Sequence, residues 1–130
     1  MNGDAFQSYR DLKVWQEAMT LAVACYELTR AFPREEMYGM TSQIRRASGS
    51  IVANIAEGHG RETTASFVHF LRTAQGSLKE LETHLILATR VKLASSDSVE
   101  PLPGQCDALG RMVRALTRSL QQRIEREAKA

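Results

Sequence analysis

The chain has 130 residues, 43% of them apolar and 25% charged, with a formal net charge of +2. That length bounds it to one domain with a sizeable core, and the composition excludes a mainly disordered chain. A net charge this small also excludes the strongly basic class whose affinity for nucleic acid is read from charge alone.

Two cysteines, Cys25 and Cys106, are too few for a disulfide framework and lack zinc spacing. They read as buried, reduced thiols, and the expected location is cytoplasmic. Met1 to Tyr9 is polar and holds Asp4, so no secretory signal is read there. Leu21 to Tyr26, the longest uncharged apolar run, is far too short to span a bilayer, and no membrane partner is expected.

The apolar spacing is helical almost throughout. Leu12, Trp15, Met19, Ala22 and Tyr26 step by three and four and predict a first helix over about 11–30, with Asp11 as N-cap and Pro33 limiting the far end. Met37, Met40, Ile44, Ala47, Ile51 and Ile55 predict a second helix over about 34–57. Glu35 and Glu36 suit its opening turn, and Gly58 is its expected left-handed terminator. Phe67, Leu71, Ala74, Leu78, Leu81, Leu85 and Ala88 predict a third helix over about 64–92, capped by Thr63 or Thr64. Leu102, Cys106, Leu109, Val113, Leu116 and Leu120 predict a fourth over about 104–126, because Pro101 and Pro103 make its first turn irregular. No strand-like alternation or hairpin signal is present. The expected architecture is an all-α, antiparallel up-down-up-down four-helix bundle over 11–127, with 1–10 as a tail.

Glycine within a helix costs about 1 kcal/mol relative to alanine. Gly39, Gly49, Gly76 and Gly110 all fall in predicted helices. A hairpin of the second and third helices sets Ala47-Ser48-Gly49-Ser50 against Ala74-Gln75-Gly76-Ser77, and close backbone packing is the expected use. Gln43, Arg46, Ser50, Asn54 and Glu57 form a polar stripe on the second helix. Arg72, Gln75, Lys79 and Glu82 form another on the third. A solvated face explains both stripes; so does a subunit interface built from Gln43, Arg46, Ser50, Asn54, Glu57, Gln75 and Glu82.

Catalytic and metal patterns are missing. A di-metal carboxylate bundle needs Glu-x-x-His on two helices, whereas Glu80 and His84 are four apart and have no second copy. There is no phosphate-binding glycine loop and no nucleophile elbow. Cys106 sits on a core step and reads as structural. No metal, cofactor, small-molecule substrate or enzymatic activity is expected.

The charge is nevertheless uneven. Residues 37–61 hold Arg45, Arg46 and Arg61 against the single acid Glu57, and residues 110–124 hold Arg111, Arg114, Arg118 and Arg123 with no acid. Arg111, Arg114 and Arg118 share a helix face opposite the Leu109/Val113/Leu116 stripe, where guanidinium groups suit phosphates.

Taken in order, several short segments resemble the four-helix-bundle family of bacterial 23S ribosomal RNA intervening-sequence proteins. They are Tyr9-Arg10-Asp11-Leu12-Lys13-Val14-Trp15, Phe32-Pro33, the run Tyr38 to Ala47, and Asn54-Ile55-Ala56-Glu57-Gly58 with Gly60-Arg61. Phe70-Leu71, Ala74-Gln75-Gly76-Ser77-Leu78 and Glu80-Leu81-Glu82 complete the set. The fold is also similar to that of the accessory variability protein of diversity-generating retroelements, a basic pentamer engaging a reverse transcriptase and nucleic acid. The resemblance implies a ring-like homopentamer, of a family for which no enzymatic activity is established.

The expected function is a non-enzymatic oligomeric adaptor for RNA or an RNA-associated protein. Phosphates would meet Arg45, Arg46, Arg61, Arg72 and Lys79, or the Arg111/Arg114/Arg118 face. A protein-interaction scaffold without nucleic acid is the alternative, and an enzyme with an unrecognised site a remote one.

Overall fold

A computed structural model describes residues 8–130. The chain does not enter its first helix at Asp11. Ser8 Oγ instead accepts from the Arg10 amide at 3.1 Å and starts a 3-10 turn over Tyr9–Asp11, whose Tyr9 ring meets Trp15 edge-on at 5.3 Å between centroids. Asp11 is part of that turn, so extended Leu12 (φ −74, ψ 129) precedes α1, Lys13–Thr29, with no side-chain cap. The buried positions of α1 are Val14, Ala18, Leu21, Ala22, Cys25 and Thr29. The expected stripe is thus rotated: Trp15 is half-buried, while Met19 and Tyr26 are 38% and 44% exposed. Both stripes have helical spacing and share Ala22; Ala18 and Cys25 are small and allow close approach to the core, which Leu21 fills, whereas Trp15, Met19 and Tyr26 lie along its border.

The second helix starts later than its apolar spacing suggests. Arg34–Glu36 forms a separate 3-10 turn, and α2 runs Met40–His59. Glu36 Oε1 accepts from the Met40 amide at 3.0 Å, so the acid caps the helix from the preceding turn. Met37 lies outside the helix and is 51% exposed. Gly58 does not terminate α2 in a left-handed conformation; it is buried within the helix, and no described glycine has positive φ. Its role is steric: a Cβ there would lie 2.7 Å from Phe70 Cβ and 3.0 Å from Phe67 Cδ1.

Helix α3, Thr64–Arg90, is capped by Thr63, whose hydroxyl accepts from the Ser66 amide. It ends in a Schellman turn: Leu93 N donates to Ala88 O and Lys92 N to Thr89 O, with Lys92 at φ 67. A single turn, α4 (Ser96–Val99), leads to α5, Pro101–Lys129. α5 begins before residue 104 because both prolines fall among the opening residues, whose N–H groups have no intrahelical acceptor to lose.

Helices α1, α2, α3 and α5 make an all-α four-helix bundle. α2 and α3 are antiparallel: Ser50 meets Ser77 through their hydroxyls at 2.9 Å, while Gly58 packs on Phe67 and Phe70. α1 and α2 are antiparallel too, since Arg45 binds Thr29 at one end and the Tyr9–Asp11 turn touches α2 towards the other. The core joins Leu21 and Cys25, Ile44, Ile51 and Ile55, Leu71, Leu78, Leu81 and Leu85, and Cys106 and Val113.

Candidate nucleic-acid interface

Basic side chains in the structure divide by what they already hold. Arg45 donates from Nε to Thr29 Oγ1 at 2.8 Å and stacks its guanidinium 4.6 Å over the Tyr26 ring. Arg61 pairs with Glu57 at 2.7 Å and lies 4.7 Å over Phe70. Lys79 pairs with Glu82 at 3.2 Å, and Arg111 pairs with Asp107 one turn back. These four of the expected phosphate contacts are engaged within the chain.

The other four have no carboxylate partner among the described residues: Arg46, Arg72, Arg114 and Arg118. Arg46 stands alone on the exposed side of α2. Arg72, Arg114 and Arg118 converge instead. With Gln75, Thr117 and Gln121 they line one groove of about 300 Å³ between α3 and α5. Helix periodicity explains the convergence: Arg72 and Gln75 are three apart on α3, and Arg114, Thr117, Arg118 and Gln121 step by three, one and three along α5. Half-buried Gln75 and Thr117 flank the buried stripes of their helices, and the exposed arginines line the same seam from further round.

Gln75 fastens that seam. Its Nε2 donates to the Gly110 carbonyl at 3.0 Å. Its Oε1 is buried and has no hydrogen-bond partner among the described residues. Only the amide nitrogen can donate to a carbonyl, which fixes the orientation of the Gln75 amide. The groove therefore gathers three guanidinium groups, with one uncommitted acceptor buried on a lining residue and no acid among its lining. Like charges gathered this way repel, and an anion relieves that repulsion.

The residues read as a subunit interface are placed differently. Ser50, Asn54 and Ser77 form an internal polar seam between α2 and α3, with Asn54 Nδ2 donating to Ser50 O at 2.8 Å and to Ser50 Oγ at 3.1 Å. Gln75 serves the α3/α5 seam, and Glu57 and Glu82 hold the ion pairs just named. Gln43 and Arg46 are exposed. Ala47 and Ala74 are buried, whereas a Cβ added at Gly49 or Gly76 would meet nothing within 4 Å. The two glycines thus have no packing role within the chain, contrary to the expected close approach; the buried alanines beside them serve it.

Burial pushes both thiols up from 9.0 to about 12, with Cys25 and Glu82 adding to the shift at Cys106 and Lys79 opposing it. A thiol so shifted is a poor nucleophile at neutral pH. A larger crevice of about 720 Å³, near Leu28, Phe32, Leu93 and Leu102, is mostly apolar and gathers no set of reactive groups. Among the described residues, no three His, Cys, Asp or Glu side chains are placed to hold a metal ion, and no helix is long and apolar enough to cross a membrane.

The molecule is thus a small helical bundle with an arginine-lined groove between α3 and α5. A profile of the 23S rRNA-intervening sequence proteins matches residues 10–115, and the chain belongs to that family. No curated protein sequence matches it. Among solved structures, it is similar to a protein of unknown function from the S23 ribosomal protein family of Bacteroides thetaiotaomicron. The two share 22% identity and a TM-score of 0.72 over 80% of this chain and 97% of that one, a likeness of fold.

Proposed function

We propose that the protein is a non-enzymatic, cytoplasmic RNA-binding adaptor that grips phosphates in the α3/α5 groove. The observation carrying this reading is the convergence of Arg72, Arg114 and Arg118, none paired with an acid, on one seam. Arg45, Arg61, Lys79 and Arg111 are held by partners of their own and Arg46 stands apart from the groove, so these contribute mainly to the surrounding field. Arginine suits the task because its planar fork meets two phosphate oxygens at once.

The proposal includes assembly into a homopentamer, as the family resemblance implies. Met19, Val23 and Tyr26 on α1 are 38%, 54% and 44% exposed. The Arg45–Tyr26 contact and the antiparallel course of α1 and α2 set bare Gly49 about level with Val23. An apolar strip beside a glycine favours close approach by a second copy. Repetition of the groove around a ring would multiply contacts to one RNA.

The test is RNA binding over a salt series by the wild type and by the Arg72→Gln/Arg118→Gln variant. Each lost phosphate contact flattens the slope of log K against log salt by about 0.7 for a single strand. The double variant should bind more weakly at low salt, with a slope shallower by about 1.4. Equal affinity and slope for the two proteins would remove the groove from the account.

A further inference from the structure

The groove holds a free acceptor beside its donors, and the role assigned to it rests on the RNA-binding proposal. Phosphate recognition needs only donors, and the three arginines supply them. Gln75 Oε1 is of the opposite kind: it can only accept, and it is buried without a donor. Such an atom carries a desolvation cost that a ligand hydroxyl would offset. Its position is fixed, because Nε2 of the same amide is bound to the Gly110 carbonyl at 3.0 Å.

The acceptor also lies near one of the groove's arginines. From the point where a Gly110 side chain would begin, Gln75 Oε1 is 3.5 Å away and Arg114 Nη1 3.7 Å away. Gly110 itself places no side-chain atom between them. An Arg114 side chain turned outward onto a phosphate would leave room beside Oε1 for a group adjoining that phosphate. In RNA the donor found there is the ribose 2′-hydroxyl; DNA has none.

We infer that Gln75 is a specificity residue that accepts a hydrogen bond from a ribose 2′-hydroxyl while Arg72, Arg114 and Arg118 hold the adjoining phosphates, so that the groove selects RNA over DNA. The arginines supply affinity that is indifferent to the sugar. Gln75 supplies the difference.

The experiment uses the intact protein and four single strands of one sequence: RNA, DNA, 2′-O-methyl RNA and 2′-fluoro RNA. The 2′-fluoro strand keeps an RNA-like sugar pucker but has no hydroxyl to donate. RNA should bind about tenfold more tightly than the 2′-fluoro strand and DNA, the size expected of one hydrogen bond to an otherwise unpaired acceptor. The 2′-O-methyl strand, which also lacks the donor, should follow the 2′-fluoro strand or bind more weakly still. Gln75→Met should erase the difference between RNA and the 2′-fluoro strand, while any loosening of the seam from loss of the Gly110 contact changes all four strands alike. Arg72→Gln should weaken all four strands by similar factors. Wild-type protein that binds the 2′-fluoro strand as tightly as RNA overturns the assignment without touching the phosphate reading, and so does an RNA preference that survives in Gln75→Met. Failure to bind any strand at low salt overturns the RNA reading and this inference together.

Discussion

Replacing Gly58 by alanine tests the packing account at its tightest point. The added Cβ would lie 2.7 Å from Phe70 Cβ and 3.0 Å from Phe67 Cδ1. The Phe67 ring can rotate away, but Phe70 Cβ is fixed to the backbone, so α2 and α3 must separate by roughly 1 Å to restore van der Waals distance. Overpacking of this kind costs typically 1–3 kcal/mol, and a clash with a backbone-anchored atom belongs at the upper end. Alanine returns about 1 kcal/mol through helix propensity. The expected net loss is about 2 kcal/mol, or a melting temperature lower by roughly 8 °C in a domain of this size. Gly76→Ala is the matched control, because its Cβ meets nothing within 4 Å and only the propensity gain remains. Urea denaturation of both variants, at one protein concentration, measures the contrast. A Gly58→Ala protein as stable as Gly76→Ala would refute the reading of Gly58 as a packing glycine.

Other consequences are open to equally simple measurement. Glu36→Ala removes the acceptor of the Met40 amide and should cost about 1 kcal/mol in denaturant, as losses of helix caps do. Lys92→Gly should stabilise by about 1 kcal/mol, because Lys92 holds φ 67 with a Cβ that glycine lacks; a loss of stability would mean the lysine side chain matters more than the backbone. Cys25 and Cys106 titrate near 12 in the fold and near 9.0 when unfolded, so their contribution is complete below pH 9 and is lost as pH rises towards 12. Wild-type stability should therefore fall above pH 9 more steeply than that of Cys25→Ala/Cys106→Ala, and both thiols should resist alkylation until the chain is denatured. Val23→Asp places a charge on the exposed α1 strip and should reduce the mass seen by light scattering while helicity stays unchanged; an undiminished mass would move the subunit contact elsewhere.

Helix α3 was legible because its apolar steps have only one helical reading. Leu71, Ala74, Leu78, Leu81, Leu85 and Ala88 are all buried on the face their spacing drew. Two stripes competed on α1, and periodicity could not rank Trp15 and Met19 against Ala18 and Cys25, since the choice depends on how closely the neighbouring helix approaches. Gly58 misled for a related reason: a terminator and a packing glycine look alike until Phe67 and Phe70 are brought against it. The prolines at 101 and 103 stand where a helix begins, and only the position of that beginning shows them to be harmless.

The candidate site was half legible. Arg114 and Arg118 share a helix face by spacing alone, but Arg72 belongs to another helix, and only the α3/α5 register joins the three. Nor could sequence show that Arg45, Arg61, Lys79 and Arg111 are engaged, although Glu57 and Asp107, each four residues before its arginine, were signals available to an i,i+4 reading. Gln75 was marked as polar, but its divided role needed the Gly110 carbonyl in place.

The central claim is that RNA lies in the seam between α3 and α5. Photo-crosslinking of a 4-thiouridine-substituted single-stranded RNA to the intact protein, followed by mass spectrometry of the joined peptides, tests it most directly. The account predicts crosslinks concentrated within residues 69–82 and 108–122, reduced in the Arg72→Gln/Arg118→Gln protein. Crosslinks concentrated in α1, and unchanged in that variant, would contradict it.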